Sequence, residues 1–123
     1  MNIQFRFLLV LILSFLWGGA GLWGVPFVMP DKMEDLMANY CFDCHDDETK
    51  KGEIRLDNLA TLALKDRLDL LNRVQEQIFI KEMPPQKRKA QPSDSEREQL
   101  YDWMTAELRK HKASRFEEKL RYP

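Results

Sequence analysis

Hydrophobic and polar positions divide the chain into one apolar N-terminal run and three helical stretches. Residues 7–29 contain no charged side chain. Beyond them, apolar residues return every three or four positions in segments 33–40 and 61–82 and again after residue 93, which is the spacing of one face of an α-helix. The pattern therefore predicts an all-α domain of about three main helices, preceded by an apolar segment.

The first helix is predicted to begin near Asp31, a suitable N-cap residue. Its apolar stripe consists of Met33, Leu36, Met37 and Tyr40. A polar, turn-like segment follows, and the alternating residues 53–57 predict a short extended piece.

The second helix is predicted from Thr61 to Glu82. One side carries Leu64, Leu68, Leu71, Val74 and Ile78, and Leu70, Phe79 and Ile80 widen this stripe. Pro84 and Pro85 end the helix, because proline lacks a backbone N–H and disfavours a helical residue before it.

The third helix has the strongest start signal, since Ser93 and Glu96 match the capping-box pattern. Its apolar face carries Leu100, Trp103, Met104 and Leu108. Cations near its end, Arg109, Lys110 and Lys112, interact favourably with the helix dipole.

Two interpretations fit the N-terminal run. Small residues ending at Ala20 resemble a signal-peptide cleavage site. Alternatively, about 23 uncharged residues would reach roughly 34 Å as a helix, enough for an uncleaved membrane anchor with Arg6 on the cytoplasmic side. We favour the anchor, with Trp23 and Phe27 at the far interface. Both interpretations export the remaining chain.

Composition narrows the function classes. The chain has 123 residues and a net charge of −1 with interspersed signs, so it predicts one small domain and gives no reason to expect a nucleic-acid partner. Its two cysteines are too few for a disulfide framework. Together with His45 they are one ligand short of a closed zinc site.

Both cysteines lie in one motif, Cys41-Phe42-Asp43-Cys44-His45. C-x-x-C-H is the attachment pattern of c-type haem. The spacing lets two thiols reach the two vinyl groups of one porphyrin, and the histidine that follows can supply an axial nitrogen to iron. We therefore predict one covalent haem c, attached through Cys41 and Cys44, with His45 as proximal ligand.

Met83 is the leading candidate for the sixth ligand. It stands where a helix meets a Pro-Pro turn, and the stiff backbone there would hold a thioether with little entropy loss. It follows His45 by 83 − 45 = 38 residues, which leaves room to reach the other haem face. The alternative role is gap filling at a helix end. His111 is the runner-up ligand, and the other candidate methionines are better explained as core: Met33, Met37 and Met104.

The chain resembles the planctomycete-type cytochrome c domain, a small class I-like monohaem cytochrome. The resemblance rests on residues 41–45, on Lys51-Gly52-Glu53-Ile54-Arg55-Leu56-Asp57, on Lys81-Glu82-Met83-Pro84-Pro85, and on the helix with Ser95, Leu100 and Trp103. It covers about residues 33–108. The haem motif alone is common to c-type cytochromes, whereas the combination is more specific.

The resemblance implies thioethers at Cys41 and Cys44, and His45 and Met83 as iron ligands. Two features depart from it. The family's domain usually begins a much longer protein, so a free-standing domain and a fragment both remain open here. No proline follows His45 closely, and the partner that orients the proximal imidazole is therefore not evident.

We predict three segments: residues 1–30 as signal peptide or anchor, residues 31–112 as the cytochrome c domain, and residues 113–123 as a polar tail. The predicted function is transfer of single electrons outside the cytoplasm, in the periplasm, as a carrier or as a domain or subunit of a larger oxidoreductase rather than as an enzyme itself. Alternatives are a haem-based sensor or small-ligand binder with a weak sixth ligand, and a non-haem cysteine site.

The expected partners are redox proteins that dock transiently, plus the membrane if the N-terminal segment is uncleaved. Lys87, Arg88 and Lys89 follow Met83 and would lie near the haem edge, where they could meet an acidic partner. A solvated basic loop without a specific role explains them equally well.

Overall fold

The protein is all-helical over the part that the structure, a computed structural model, describes: residues 26–121. Helix α1 spans Asp31–Met37 and continues as a π-helical turn over Ala38–Phe42. Helices α2, α3 and α4 span Leu64–Phe79, Asp94–Lys110 and Arg115–Arg121. Short 3₁₀ turns occupy Lys51–Glu53 and Leu59–Thr61. The all-α prediction is confirmed.

The predicted N-terminal signal peptide or anchor lies almost entirely outside the described residues. Within residues 26–121, no helix is both long enough and apolar enough to cross a bilayer. Phe27 belongs to the folded part, because its ring packs against Trp103 at a centroid distance of 6.4 Å. The guanidinium of Arg67 lies 4.5 Å from the centroid of the same ring.

The core forms where α3 packs against both α1 and α2. Its fully buried apolar side chains come from all three helices and from the Leu59 turn: Met37, Leu59, Leu71, Leu100, Met104 and Leu108. Each such side chain contributes roughly 1.5–3 kcal/mol through removal of apolar surface from water. The stripes predicted for the first and third helices therefore point into one common core.

Helix α2 is shorter than predicted at both ends. The backbone is extended at Ala63, just before the helix, and Lys81 has a positive φ of 59° just after it. The prediction that Leu64 belongs to the buried face is wrong: Leu64 is 45 % exposed, because it begins the helix beyond the packed stripe.

Two polar side chains on the inner side of α2 are buried, and each makes hydrogen bonds to another part of the fold. Gln75 donates to the Thr105 hydroxyl at 2.7 Å. Asn72 donates to the Ala113 carbonyl at 2.8 Å and accepts from the Arg115 backbone N–H at 2.9 Å. These bonds link α2 to α3 and to the start of α4, which sequence periodicity did not predict.

Helix α4 extends the fold into the predicted polar tail. The Phe116 ring packs on Phe79 and Tyr101, with centroid distances of 4.5 and 5.9 Å. Phe79, at the end of α2, thus finds aromatic neighbours although about half of its surface stays exposed.

The capping box of α3 is confirmed. The Ser93 hydroxyl accepts the Glu96 N–H at 3.2 Å, and the Glu96 carboxylate accepts the Ser93 N–H at 2.8 Å. Bonds from Ser93 are the main cause of a lowered pKa at Glu96. Tyr40 also donates to Glu96, at 3.2 Å, and ties the end of α1 to the start of α3.

Ser93→Ala should lower the free energy of unfolding by about 1 kcal/mol, because a helix N–H loses its acceptor. Urea unfolding of the variant against the wild type measures this loss. Ser95→Ala is the matched control, since Ser95 lies in the same turn but does not cap it. A Ser93→Ala variant as stable as Ser95→Ala would contradict the capping role.

Because the pKa of Glu96 is lowered in the folded state, the stabilisation that Glu96 gives to the start of α3 depends on pH. Its carboxylate is preferred in the folded state, so the stabilisation is complete above the usual glutamate pKa and disappears as the pH falls through the lower folded value. Between pH 6 and pH 3, the wild type should therefore lose more stability than Glu96→Gln does. Urea unfolding at the two pH values measures these losses. If the wild type and Glu96→Gln lose the same stability, the pH dependence assigned to Glu96 is wrong.

Candidate functional site

The predicted site residues meet in one cavity of about 550 Å³. Cys41, Cys44 and His45 line it from the segment after α1, and Met83 lines it from the turn after α2. The volume lies within the usual range for a cofactor site. His111, the alternative ligand, does not line this cavity. It caps the end of α3, with its ring 3.8 Å from Glu107.

The two cysteines are free thiols held on the π-helical turn and the residues just beyond it. The Cys41 carbonyl accepts the N–H groups of Cys44 and His45, at 3.2 and 3.1 Å. Cys41 is buried, and burial raises the pKa of its thiol to about 11, although the charge of Arg97 opposes the shift. Cys41 is thus a protonated thiol at neutral pH rather than a reactive thiolate.

His45 is oriented by a backbone carbonyl. Its Nδ1 lies 3.3 Å from the Ile54 oxygen, so the tautomer protonated at Nδ1 donates there and leaves Nε2 as the lone-pair nitrogen. Ile54 therefore supplies the orienting partner that the sequence left open when no proline followed His45. Sequence reasoning missed this contact because a backbone carbonyl has no residue-type signal.

The segment around Ile54 is fastened to the cysteine motif on both sides. The N–H of Lys51 donates to the Cys44 carbonyl at 2.8 Å, and the N–H of Leu56 donates to the His45 carbonyl at 2.7 Å. Ile54 has the predicted extended backbone, whereas Glu53, the first residue of the predicted extended piece, belongs to a 3₁₀ turn. In that turn Gly52 and Glu53 have positive φ values of 65° and 59°.

Met83 is placed by the end of α2 and by α3. Its N–H donates to the Gln77 carbonyl at 3.3 Å, and its own carbonyl accepts from Arg97 at 2.7 Å. Its side chain lines the cavity and is partly solvent-exposed, as Met83 is 37 % exposed overall. Pro84 and Pro85 line the cavity beside it.

The remaining lining is mainly apolar, with three basic residues and one acidic residue, Glu76. Apolar or aromatic contacts come from Tyr40, Ile54, Leu56, Val74 and Ile78, and basic ones from Lys51, Arg73 and Arg88. Of the basic loop after Met83, Arg88 is the member that lines the cavity, and it pairs with Asp43 at 2.9 Å. Arg73 was not predicted as a site residue. Its position next to Val74, at the edge of the apolar stripe of α2, is the sequence signal that could have identified it.

The segment that lines much of the cavity is similar to a known family. Residues 41–87 match the planctomycete cytochrome C family. The match runs from the first cysteine to just beyond Met83-Pro84-Pro85, and it confirms the resemblance seen in the sequence. No curated protein and no solved structure matches the chain. This similarity over residues 41–87 points to a haem-binding electron carrier, with haem c as the cofactor.

The residues around the cavity fit such a cofactor. Two thiols, an imidazole with its Nδ1 engaged, and a thioether face one mostly apolar space, which is a donor set for covalent porphyrin attachment and axial ligation. Within residues 26–121, no three His, Cys, Asp or Glu side chains cluster so as to hold a metal ion by themselves.

Gly52→Ala should lower the free energy of unfolding by about 1–2 kcal/mol, because a side chain at positive φ is strained. A Cβ at Gly52 would meet no atom of the chain within 4 Å, so the cost is conformational. Urea unfolding of the haem-loaded protein measures it. Glu53→Gly, which removes a Cβ at positive φ, should not lower stability; a wild-type-like Gly52→Ala would contradict the turn geometry.

Proposed function

We propose that this protein is a monohaem c-type cytochrome that carries single electrons outside the cytoplasm. The observation that carries the proposal is the cavity of about 550 Å³ that collects Cys41, Cys44, His45 and Met83, although Met83 is distant from the others along the chain. Bound haem supplies an iron that changes between ferric and ferrous states.

Each residue has a distinct role in this proposal. Cys41 and Cys44 form the two thioether links to haem, and burial keeps Cys41 away from competing thiol reactions. His45 presents Nε2 to iron because its Nδ1 is engaged by Ile54. Met83 would hold the iron through its thioether sulfur, and methionine ligation would raise the reduction potential.

Two cations at the cavity are available for the haem propionates. Lys51 and Arg73 line the cavity from separate segments. Among the described residues, neither side chain has a carboxylate within ion-pair distance, unlike Arg88, which pairs with Asp43. A carboxylate beside a guanidinium or an ammonium gains charge-assisted hydrogen bonds. We therefore assign Lys51 and Arg73 as propionate partners.

The proposed location is extracytoplasmic, in the periplasm, because c-type haem is attached there and the charge-free N-terminal run provides export. Phe27 is held by Trp103 and Arg67, so cleavage after Ala20 would leave this contact in place. The proposed partners are redox proteins that dock briefly. The basic side chains around the cavity would favour an acidic docking surface.

An optical spectrum tests the proposal directly. The protein, produced in a host that matures c-type haem, should give a c-type spectrum when reduced and the weak near-red band of methionine-ligated haem when ferric. A haem spectrum without that band would favour the sensor or small-ligand binder. Absence of covalent haem would overturn the proposal.

Replacing both thiols tests the attachment. Cys41→Ala with Cys44→Ala should abolish covalent haem, since no other cysteine can form a thioether. Denaturing electrophoresis with haem staining measures covalent haem. Each single variant should retain one link and serves as the control. Covalent haem in the double variant would contradict the assignment.

Replacing the thioether tests the sixth ligand. Met83→Leu keeps most of the side-chain volume but removes the sulfur, so carbon monoxide should gain access to ferrous iron and the potential should fall. Carbon monoxide binding and redox titration measure the two effects. Met33→Leu is the matched control, because Met33 is a core methionine outside the cavity lining. Unchanged carbon monoxide access in Met83→Leu would contradict ligation.

A further inference from the structure

Arg97 is a buried cation whose hydrogen bonds go to the Met83 loop, residues 80–93 between α2 and α3. It lies in the first turns of α3 and is 9 % exposed. Its Nη1 donates to the Met83 carbonyl at 2.7 Å, and its Nη2 donates to the Gln91 side-chain oxygen at 2.9 Å. Among the side chains that the structure describes, no carboxylate lies within ion-pair distance of Arg97. Burial of such a charge is costly unless its donors are used well.

Gln91 extends these contacts along the loop. Its amide nitrogen donates to the Pro85 carbonyl at 2.9 Å and to the Arg88 carbonyl at 3.2 Å. Neither Pro84 nor Pro85 has a backbone N–H. Backbone hydrogen bonds donated from these two positions therefore cannot hold the loop in place. Hydrogen bonds donated by the side chains of Arg97 and Gln91 hold the loop instead.

We infer that Arg97, acting with Gln91, is a positioning residue that holds the Met83 loop against the cavity so that the thioether stays on iron. The inference rests on the proposed function. Met83 has a flexible side chain, and its backbone N–H makes one long bond, to the Gln77 carbonyl at 3.3 Å. The bond that Arg97 donates to the Met83 carbonyl is shorter, at 2.7 Å.

The charge of Arg97 also acts on the site. Its guanidinium donates to the carbonyl of Met83, the proposed iron ligand, at 2.7 Å, so its charge lies near the site. The field of this charge favours the ferrous state over the ferric state, which carries one more positive charge. Arg97 should therefore raise the reduction potential in addition to limiting the opening of the loop, and the two effects can be separated by substitution.

Gln91→Ala is the first test, because Gln91 is exposed and its removal leaves the buried charge in place. Loss of a hydrogen bond of ordinary strength changes an equilibrium by about fivefold. The rate of carbon monoxide binding to the ferrous holoprotein, which requires Met83 to leave iron, should rise by about that factor. Gln99→Ala is the matched control, since Gln99 bonds only to Ser95 in its own helix.

Arg97→Lys separates position from charge. Lysine keeps the positive charge but cannot bridge the Met83 carbonyl and Gln91 with a planar fork. Carbon monoxide binding should therefore accelerate while the potential changes little. Arg97→Met, which removes the charge, should lower the potential as well. Urea unfolding of every variant shows whether a general loss of stability accounts for the change.

The outcomes distinguish this inference from the proposed function. If Met83→Leu binds carbon monoxide rapidly but Gln91→Ala and Arg97→Lys bind it as slowly as the wild type, the positioning role is overturned and methionine ligation stands. If the wild type lacks the methionine-ligation band, both are overturned. If Arg97→Lys does not fold, Gln91→Ala against Gln99→Ala decides alone.

Discussion

The packing of α2 against α3 is the constraint on which the site depends. Helix α2 leads directly into Met83, and α3 carries Arg97, which binds the Met83 carbonyl. The buried bond between Gln75 and Thr105 fixes the register of the two helices. Helix α3 also contacts α1, which leads into the cysteine motif. One helix thereby sets the relative position of the two halves of the cavity.

The two halves are held by different kinds of contact. Around His45, backbone bonds from Lys51 and Leu56 join two segments close in sequence, so the proximal side forms as a local unit. Around Met83, two prolines lack backbone donors, and the side chains of Arg97 from α3 and of Gln91 from the loop itself hold the segment instead. The Met83 side should thus open more easily than the His45 side, because it is held largely by side-chain bonds, one of them from the exposed Gln91, rather than by backbone bonds.

Features that the sequence predicted are those decided locally. The capping box at Ser93, the proline stop after α2 and the spacing of Cys41, Cys44 and His45 each depend on neighbouring residues. The Ile54 carbonyl, the place of Phe116 and the Arg97–Met83 bond depend on which segments meet in three dimensions. A single sequence contains no periodic signal for such contacts, and helix periodicity likewise misassigned Leu64.

Arg97 shows why the core is not purely apolar next to the cavity. An apolar side chain at that position would avoid the cost of burying a charge, and buried ionic groups are often replaceable without loss of stability. It would, however, leave the Met83 carbonyl and Gln91 without their donor. A buried cation also favours the reduced state of a nearby haem. Stability alone therefore gives a weak reason for Arg97, whereas control of ligand position and potential gives a direct one.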